Sequence, residues 1–333
     1  MKKISMANLP TKIVKLERLS SELGAEIYMK RDDQTGSELS GNKVRKLEYS
    51  INEAIENGCN LLITCGGIQS NHCRATVSAA ALLGLKSVVL LRISKEPEVE
   101  GNYFLDKLMG AEVRFCNREE YSSSRDEIMQ KIADEYSAKG YKPYIIPEGA
   151  SNGIGSLGYY NAMKEIVLQE EQMDVKFDTI IVATGSGGTC SGLNIANKIF
   201  GLGKRIIGMC VCDDNLYFQK RIASMSNDAL DILAKNGEIE LGRLDSLYFK
   251  HDEIEMIDRY VGLGYAISRK EELDFITYIA RLEGVVFDPV YTGKAMYGLY
   301  NEIKNNGLIS NKERVLFIHT GGLFGLFPVS KEF

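Results

Sequence analysis

Two spacings of apolar residues alternate along the sequence. Short apolar runs that stop at glycine or proline are typical of strands buried in parallel sheets. Longer stretches, in which apolar residues recur at the helical period, are typical of helices with one buried face. The predicted strands are 25–30, 61–65, 87–92, 112–116, 144–146, 179–183, 205–212 and 314–319. The predicted helices are 43–58, 71–83, 103–109, 123–139, 159–172, one that follows 184–189 and ends at 200, 215–236, 268–283, and one that opens at 288–294.

Strand and helix therefore alternate along most of the chain. This order predicts the α/β class, with open, twisted, mostly parallel sheets joined by right-handed crossovers. A chain of 333 residues is long for one core and favours two subdomains. The glycine-rich stretch 149–158 is interpreted as the return from one subdomain to the other. We expect a larger domain of residues 1–47 and 152–333 and a smaller α/β domain of residues 48–151. Residues 238–256 show no strong period, so no structure is predicted there.

Three motifs rich in glycine and hydroxyl residues come directly after predicted strands. They begin at Gly66, Thr184 and Thr320. The carboxyl ends of parallel strands meet at one edge of a sheet, where α/β proteins bind their ligands. The sequence thus predicts that these motifs share one cleft.

Lys43 lies in the first turn of the predicted helix that follows Gly41. Ser40 or Asn42 is expected to cap this helix, and Gly41 permits a sharp turn before it. The helix dipole places partial positive charge near Lys43, which disfavours the ammonium form and helps the amine to act as a nucleophile. The alternative is that Lys43 and its basic neighbours are solvated surface charges.

The loop 184–189 joins a predicted strand to a predicted helix and consists of three glycines and three hydroxyl residues. Its main-chain N–H groups and the helix dipole suit a phosphate. The simplest alternative is a tight turn without a ligand. The loop is not a Walker A motif, because no Gly-Lys-Ser/Thr closes it. A nicotinamide dinucleotide is a weaker alternative, with Asp213 as the ribose-binding acid but Cys190 in place of the third glycine.

Composition narrows the class of function. The apolar fraction of 44% and the charged fraction of 26% are those of a globular protein. A net charge of −5 argues against nucleic acid or an anionic membrane as the main partner. We expect neither a membrane span nor a secretory leader. The seven cysteines lack disulfide or zinc spacing, which favours free thiols in a reducing cytoplasm. Three histidines without a metal-binding motif give metal catalysis little support.

Two stretches resemble the family of D-cysteine desulfhydrases and 1-aminocyclopropane-1-carboxylate deaminases: Ser40-Gly41-Asn42-Lys43-Val44-Arg45-Lys46-Leu47-Glu48 and Gly66-Gly67-Ile68-Gln69-Ser70-Asn71-His72. The resemblance extends over nearly the whole chain. It implies a pyridoxal-phosphate enzyme of fold type II, the tryptophan synthase β fold, with the cofactor in the cleft between the two domains. The larger domain is then expected to bind the cofactor.

The resemblance also implies roles for individual residues. Lys43, and not Lys46, is expected to carry pyridoxal phosphate and to remove the α-proton of the substrate. The expected catalytic residues are Lys43, Ser70, Tyr265 and Tyr291. The expected cofactor-binding residues are Lys43, Asn71, Thr184, Gly185, Ser186, Gly187, Gly188, Thr189 and Thr320. The expected substrate-binding residues are Gln69, Ser70, Asn71 and His72. Plain helix capping is the alternative for Ser70 and Asn71, and ordinary packing is the alternative for Tyr291.

Two threonines bear on the substrate. Cyclopropane deaminases of this family have a glutamate after the active-site tyrosine and a leucine before the last Gly-Gly, where this chain has Thr292 and Thr320. A carboxylate near the ring nitrogen makes the cofactor a stronger electron sink than a hydroxyl does. The resemblance therefore implies β-elimination from D-cysteine or a related β-substituted alanine to pyruvate, ammonia and hydrogen sulfide. A cyclopropane deaminase, an L-cysteate sulfo-lyase and an amino-acid-binding sensor remain alternatives. A cytoplasmic homodimer is expected.

Overall fold

The computed structural model describes residues 1–333. The strands are β1 Ile13–Lys15, β2 Glu26–Lys30, β3 Leu61–Gly67, β4 Lys86–Arg92, β5 Glu112–Cys116, β6 Pro143–Ile145, β7 Thr179–Thr184, β8 Arg205–Cys210, β9 Glu255–Ile257 and β10 Arg314–Ile318. The helices are α1 Glu17–Leu23, α2 Asn42–Glu56, α3 Asn71–Leu82, α4 Gly101–Leu108, α5 Arg118–Ala138, α6 Gly153–Met173, α7 Gly188–Phe200, α8 Asn215–Lys235, α9 Leu241–Leu247, α10 Lys270–Glu283 and α11 Thr292–Asn301. None of these helices combines the length and apolar character needed to cross a membrane.

The strands form two sheets. The six-stranded sheet has the order β1-β2-β10-β7-β8-β9 and is parallel except at β1, which pairs antiparallel with β2. The four-stranded sheet has the order β5-β4-β3-β6 and is parallel throughout. The predicted α/β class with mostly parallel sheets is confirmed. All strands of the smaller sheet lie between residues 61 and 145, whereas the domain borders at 47/48 and 151/152 stay a prediction.

Helices cover both faces of the larger sheet, which explains why its strands are continuous apolar runs. In β7, Ile180 and Val182 pack into a core with α6, α7 and α8. Ile181 and Ala183 alternate with them and pack into a second core with α10 and α11. The sheet is therefore fixed on both sides, and its carboxyl edge gives a rigid base for a site.

Helix α6 begins at Gly153, not at 159 as predicted, so residues 153–158 of the glycine-rich stretch are helical. The Asn152 side chain caps the helix by accepting from the Gly155 N–H at 2.9 Å. A Cβ at Gly158 would lie 2.5 Å from the Arg45 carbonyl oxygen. Glycine is thus needed for the close packing of α6 on α2 and does not break the helix here.

One further helix starts earlier than predicted, and one region without a prediction contains regular structure. Helix α5 begins at Arg118 and not at 123, because Asn117 and Glu120 form a capping box before it. Residues 238–256, for which no structure was predicted, contain α9 and the start of β9. Strand β9 is only three residues long and lies at the edge of the larger sheet, so it carries too short a pattern to be recognised from the sequence.

Candidate active site

The carboxyl ends of β3, β7 and β10 open into one cleft. Its volume, including the solvent-open mouth, is about 720 Å³, which lies within the range of small-molecule sites. Most of the predicted site residues line it: Lys43, Ser70, Asn71, His72, Thr184, Gly185, Ser186, Gly187, Thr189, Tyr265, Tyr291 and Thr320. Gly188 and Gln69 do not line it.

Helix α2 begins in the wall of this cleft. Gly41 precedes it with a φ of 90°, and a Cβ at this position would lie 2.8 Å from the Thr320 carbonyl oxygen. Only glycine therefore permits this close approach. The expected cap from Ser40 or Asn42 is absent. The Asn42 amide instead donates to the Thr189 hydroxyl at 2.9 Å, which joins the helix to the loop 184–189.

The Lys43 amine faces the cleft and forms no hydrogen bond or ion pair within the protein. Burial lowers the pKa of Lys43 to about 8, although the negative charges of Glu148 and Asp288 act in the opposite direction. Near pH 8 a large share of the amine is therefore neutral and available as a nucleophile or a base.

The basic neighbours of Lys43 are not solvated surface charges, as the alternative had it. Arg45 is 2% exposed and Lys46 is 0% exposed. Lys46 donates to the Gly149 carbonyl at 2.6 Å and to the Ser151 hydroxyl at 2.7 Å. Burial lowers the pKa of Lys46 well below its usual value, and nearby positive charge lowers it further. Of the two lysines, only Lys43 reaches the cleft.

The loop 184–189 brings the start of α7 to the cleft. Gly187 precedes α7 in the left-handed region, with a φ of 93°. A Cβ at Gly185 would lie 2.8 Å from the Tyr291 ring, and a Cβ at Gly188 would lie 2.5 Å from the Lys46 amine nitrogen. The glycines therefore keep this space open. The first N–H groups of α7 have no acceptor within the helix.

Residues 185–189, which we call the glycine cradle, fit a phosphate group. The start of α7 supplies amide donors and partial positive charge, and the side chains of Ser186 and Thr189 line the cleft beside it. The Lys46 amine lies directly behind Gly188. The dinucleotide alternative lacks its acid, because Asp213 does not line the cleft. The arrangement suits a small phosphorylated cofactor with a carbonyl group that can meet the Lys43 amine, as pyridoxal phosphate has.

Ser70 and Asn71 begin helix α3 at the end of β3. Ser70 accepts a hydrogen bond from the Cys73 N–H at 3.2 Å and caps α3, and it also lines the cleft. The Asn71 oxygen accepts from the side-chain amide of Asn102 at 3.0 Å. The N–H₂ group of Asn71 is then free to donate towards an acceptor in the cleft, such as a phenolic oxygen.

Gln69 does not have the position that substrate binding would require. Its Oε1 accepts from the Asn102 main-chain N–H at 2.8 Å, and its Nε2 donates to the Glu100 carbonyl at 3.2 Å. The side chain therefore holds the start of α4 and is not directed into the cleft. The geometry does not support the prediction that Gln69 contacts the substrate.

His72 lines the cleft as a neutral ring. Its Nε2 lies 2.7 Å from the Thr64 hydroxyl, which donates its own proton to the Ile146 carbonyl. Nε2 therefore carries the ring proton, and the buried Nδ1 has no partner within the protein. Burial lowers the pKa of His72 well below its usual value, and the charges of Lys43 and Lys46 lower it further.

The structure brings Tyr265 and Tyr291 together in the cleft, although they lie on different elements. Their hydroxyls are 2.5 Å apart, and their rings meet edge to face with centroids 5.9 Å apart. Burial raises the pKa of Tyr265 to about 12 and that of Tyr291 well above its usual value. Both phenols therefore keep their protons at neutral pH. One of the two protons is donated to the other hydroxyl, and the second is free for a ligand.

Thr292 and Thr320, the two threonines from which the substrate was predicted, have different surroundings. Thr320 lines the cleft, and its hydroxyl makes no hydrogen bond within the protein. Thr292 is 0% exposed and does not line the cleft. Its hydroxyl donates to Asp288 Oδ1 at 2.7 Å. Only Thr320 therefore presents a free hydroxyl to a ligand.

Sequence reasoning missed two residues with evident effects on the site. Glu148 lines the cleft, accepts from the Tyr121 hydroxyl at 2.7 Å, and raises the pKa of Lys43. Its position just after β6 is a signal that could have found it, because the carboxyl ends of strands form the cleft. Asn102 orients Asn71 from α4, and no pattern in the sequence points to it.

Comparisons with known proteins agree with this geometry. The family model described as "Pyridoxal-phosphate dependent enzyme" matches residues 4–321. The bifunctional D-cysteine desulfhydrase/1-aminocyclopropane-1-carboxylate deaminase of Arabidopsis thaliana is 41% identical over 97% of this chain and 79% of its own length. The D-cysteine desulfhydrase of Serratia proteamaculans is 36% identical over 98% of this chain and 95% of its own length. The crystal structure of an ACC deaminase homologue, at 36% identity, superposes with a TM-score of 0.88 and covers 100% of this chain and 95% of its own.

Proposed function

Because this chain belongs to the family of pyridoxal-phosphate dependent enzymes, we propose that it is a carbon–sulfur lyase acting on D-cysteine or a related β-substituted alanine. The reaction consumes water and releases pyruvate, ammonia and hydrogen sulfide. The names of two relatives, each at least 36% identical over nearly the whole chain, support a desulfhydrase.

One observation carries the proposal: the unpaired amine of Lys43 lines the same cleft as four residues of the glycine cradle, namely Gly185, Ser186, Gly187 and Thr189. A phosphate in the cradle would place the rest of a small cofactor within this cleft, where Lys43 provides the only lysine amine. The amine also has the lowered pKa that bond formation with a carbonyl group requires.

The cofactor is held by residues of four segments in this proposal. Lys43 would bind the carbonyl carbon, the loop 184–189 would bind the phosphate, Asn71 would donate to the phenolic oxygen, and Thr320 would face the ring nitrogen. When bound, pyridoxal phosphate supplies an electron sink for negative charge at the α-carbon of the substrate.

Side chains of the protein then accept and donate the protons that the reaction transfers. The Lys43 amine would accept the α-proton of the substrate, for which a pKa near the working pH is favourable. The start of α3, with Ser70 at its cap, offers N–H donors to the substrate carboxylate. Tyr265 and Tyr291 keep their protons and can donate to the departing sulfur. Loss of the α-proton and of the sulfur group leaves an unsaturated amine that water converts to pyruvate and ammonia.

Opening of a cyclopropane ring is the second candidate, because one relative is named for both activities and a solved relative is titled a deaminase homologue. That reaction demands a stronger electron sink than expulsion of a thiolate. The free hydroxyl of Thr320 is a weak partner for a ring nitrogen, and Thr292 is turned to Asp288. This favours the desulfhydrase.

We also propose that the protein is a cytoplasmic homodimer. All seven cysteines are free, as is common in reducing compartments. Several large apolar side chains are exposed on α4 and near the C-terminus, among them Leu108 at 66% and Phe327 at 57%, and such surfaces often bind a second copy. Light scattering on the purified protein tests the dimer.

A substrate panel tests the proposed activity. D-cysteine, L-cysteine, β-chloro-D-alanine, L-cysteate and aminocyclopropane carboxylate are incubated with the cofactor-loaded protein, and pyruvate or 2-oxobutyrate is measured. We expect pyruvate from D-cysteine, and Lys43→Ala should lower turnover by about 10³-fold or more. Release of 2-oxobutyrate alone would favour the deaminase. A protein that binds the cofactor and turns over no compound would favour the sensor, and full activity of Lys43→Ala would refute the role of Lys43.

A further inference from the structure

The loop 258–269 between β9 and α10 carries Tyr265 to the cleft. Residues 264–267 form a tight turn, in which the Ile267 N–H donates to the Gly264 carbonyl at 3.3 Å. Gly264 and Ala266 have positive φ values of 132° and 59°. Tyr265 therefore lies at the tip of a turn with an unusual backbone, and something must hold that turn in place.

Apolar packing does not hold it. Leu263 is 66% exposed and Ile267 is 53% exposed, so the large apolar residues on either side of Tyr265 contribute little burial. A turn anchored only by Tyr265 itself would be expected to open locally at small cost in free energy.

The amine of Lys294 anchors the main chain of the turn, while Arg92 lies 5.4 Å from the centroid of the Tyr265 ring and the Ser268 hydroxyl donates to the Pro289 carbonyl at 3.3 Å. Lys294 is 1% exposed, and its Nζ donates to the carbonyl oxygens of Val261 at 2.7 Å, Gly264 at 2.8 Å and Ile267 at 3.2 Å. An ammonium has three N–H donors, and here each has its own acceptor. The two ends of the turn and the chain before it are thus tied to one buried cation.

A buried carboxylate, that of Glu272, also lies against the loop. Glu272 is 1% exposed, and its Oε1 has no hydrogen bond but lies 3.6 Å from Nε of Arg269 in an ion pair. A Cβ at Gly262 would lie 2.7 Å from this oxygen, so the loop backbone passes against the carboxylate. Burial lowers the pKa of Lys294, and the charge of Glu272 acts against this effect.

Lys294 also belongs to the helix that presents the other tyrosine. Tyr291 directly precedes α11, and Lys294 lies in the first turn of α11. One rigid element therefore places the Tyr291 hydroxyl and, through Lys294, the turn that carries Tyr265. This explains how two phenols from separate segments keep hydroxyls 2.5 Å apart.

We infer that Lys294 is a positioning residue whose ammonium clamps the turn 261–267 and so keeps the Tyr265 hydroxyl against Tyr291 in the cleft. This inference rests on the proposed function of the tyrosine pair. Lys294 itself does not line the cleft, and it is expected to act only through Tyr265.

Hydrogen exchange of the cofactor-loaded protein without substrate tests the clamp apart from any activity. In Lys294→Ala we expect faster exchange of the amides in 259–269, with the amides of β7 and α7 unchanged. Lys270→Ala is the matched control, because Lys270 lies on the neighbouring α10 with its side chain 77% exposed. Unchanged exchange of the loop in Lys294→Ala would overturn the inference. If Lys294→Ala does not fold, Lys294→Gln is compared in the same way.

Kinetics then test whether Lys294 acts through Tyr265. We expect Lys294→Ala to lower kcat by about tenfold or more, with ammonium or methylammonium chloride, but not sodium chloride at equal ionic strength, restoring part of the loss. In a Tyr265→Ala background the same change should cost less than about twofold, because residues acting as one unit are not additive. Equal losses in both backgrounds, or no rescue by a small ammonium ion, would contradict the clamp. If no compound of the panel is turned over, the proposed function is wrong. The hydrogen-exchange experiment would still show whether Lys294 holds the turn 261–267 in place.

Discussion

The side-chain amide of Asn42 donates a hydrogen bond to the hydroxyl of Thr189 at 2.9 Å. Asn42 precedes Lys43 at the start of α2, and Thr189 ends the glycine cradle at the start of α7. Both side chains are largely buried, at 8% and 5% exposure, so water competes little for the bond. The bond therefore fixes the start of α2, and with it Lys43, relative to the proposed phosphate site.

Asn42→Ala is expected to weaken the binding of pyridoxal phosphate. Loss of one buried hydrogen bond costs about 1 kcal/mol, which corresponds to about a fivefold higher Kd. Titration of the apoprotein with the cofactor measures this change. Asn57→Ala, at the exposed opposite end of α2, is the control and should leave Kd unaltered. An unchanged Kd in Asn42→Ala would show that the link between the two helices does not support the cofactor site.

Uptake of pyridoxal phosphate by the apoprotein is expected to become faster as the pH rises through about 8. Below its pKa of about 8 the Lys43 amine is protonated and is not a nucleophile, and above this pH it is neutral. Stopped-flow absorbance at a series of pH values measures the rate. A midpoint near the ordinary lysine pKa of about 10.4 would contradict the burial argument.

Glu148→Gln should move this midpoint to lower pH. The negative charge of Glu148 raises the pKa of Lys43, and glutamine removes the charge while keeping the size of the side chain. Glu119→Gln changes an exposed charge on α5 and serves as the control, with the midpoint expected to stay in place. If Glu148→Gln and Glu119→Gln behave alike, Glu148 does not influence the amine.

Arg45→Met is expected to lower the free energy of unfolding by about 3–5 kcal/mol, because it removes the guanidinium from a buried carboxylate and leaves it only the hydroxyl donors of Thr11 and Tyr159. The Arg45 guanidinium donates to both oxygens of Asp32 at 2.8 Å, and Asp32 is 0% exposed. Arg31→Met breaks a partly exposed pair with Asp33 and should cost only about 0–1 kcal/mol. Urea unfolding of both variants measures the difference, and equal values would contradict the assigned burial.

Thr320→Leu combined with Thr292→Glu is expected to shift preference towards aminocyclopropane carboxylate. Position 292 does not line the cleft, so the longer glutamate side chain would have to extend past the buried Asp288 carboxylate to become a stronger partner for the ring nitrogen. We therefore expect a lower Tm along with the changed preference, since like charges in a buried site repel. The ratio of kcat/KM for D-cysteine and for the cyclopropane substrate measures the shift. The same ranking as the parent in the double variant would refute the argument from the threonines.

The positions of the strands in the larger sheet could be predicted from the sequence because these strands are buried on both faces. β7, for example, is a continuous apolar run that ends at the glycine cradle, and its bounds differ from the prediction by one residue at the end. The start of α6 could not be predicted, because Gly153 and Gly158 were interpreted by their usual preference for loops. Glycine is required at these positions because the backbone of α6 packs closely against α8 at Gly153 and against α2 at Gly158. Packing partners that are distant in sequence cannot be recognised from local patterns.

The candidate site was predictable where a motif is local, as at Lys43 and in the loop 184–189. It was less predictable where the role of a side chain depends on its direction. From the sequence, Thr292 and Thr320 are expected to have the same role near the ring nitrogen. In the structure, however, the Thr292 hydroxyl donates a hydrogen bond to Asp288, four residues before it. Gln69 stands in a motif with Asn71, yet it turns to α4. The direction of each of these side chains is set by its hydrogen-bond partners, and these partners come together only in the folded chain.

Reduction of the cofactor-loaded protein with borohydride, followed by peptide mapping, tests the central claim most directly. We predict that the pyridoxyl group is found on the peptide that contains Lys43, whose amine is free in the cleft, and that Lys43→Ala carries no such group. A pyridoxyl group on Lys46 or on any other lysine of the parent protein would contradict it.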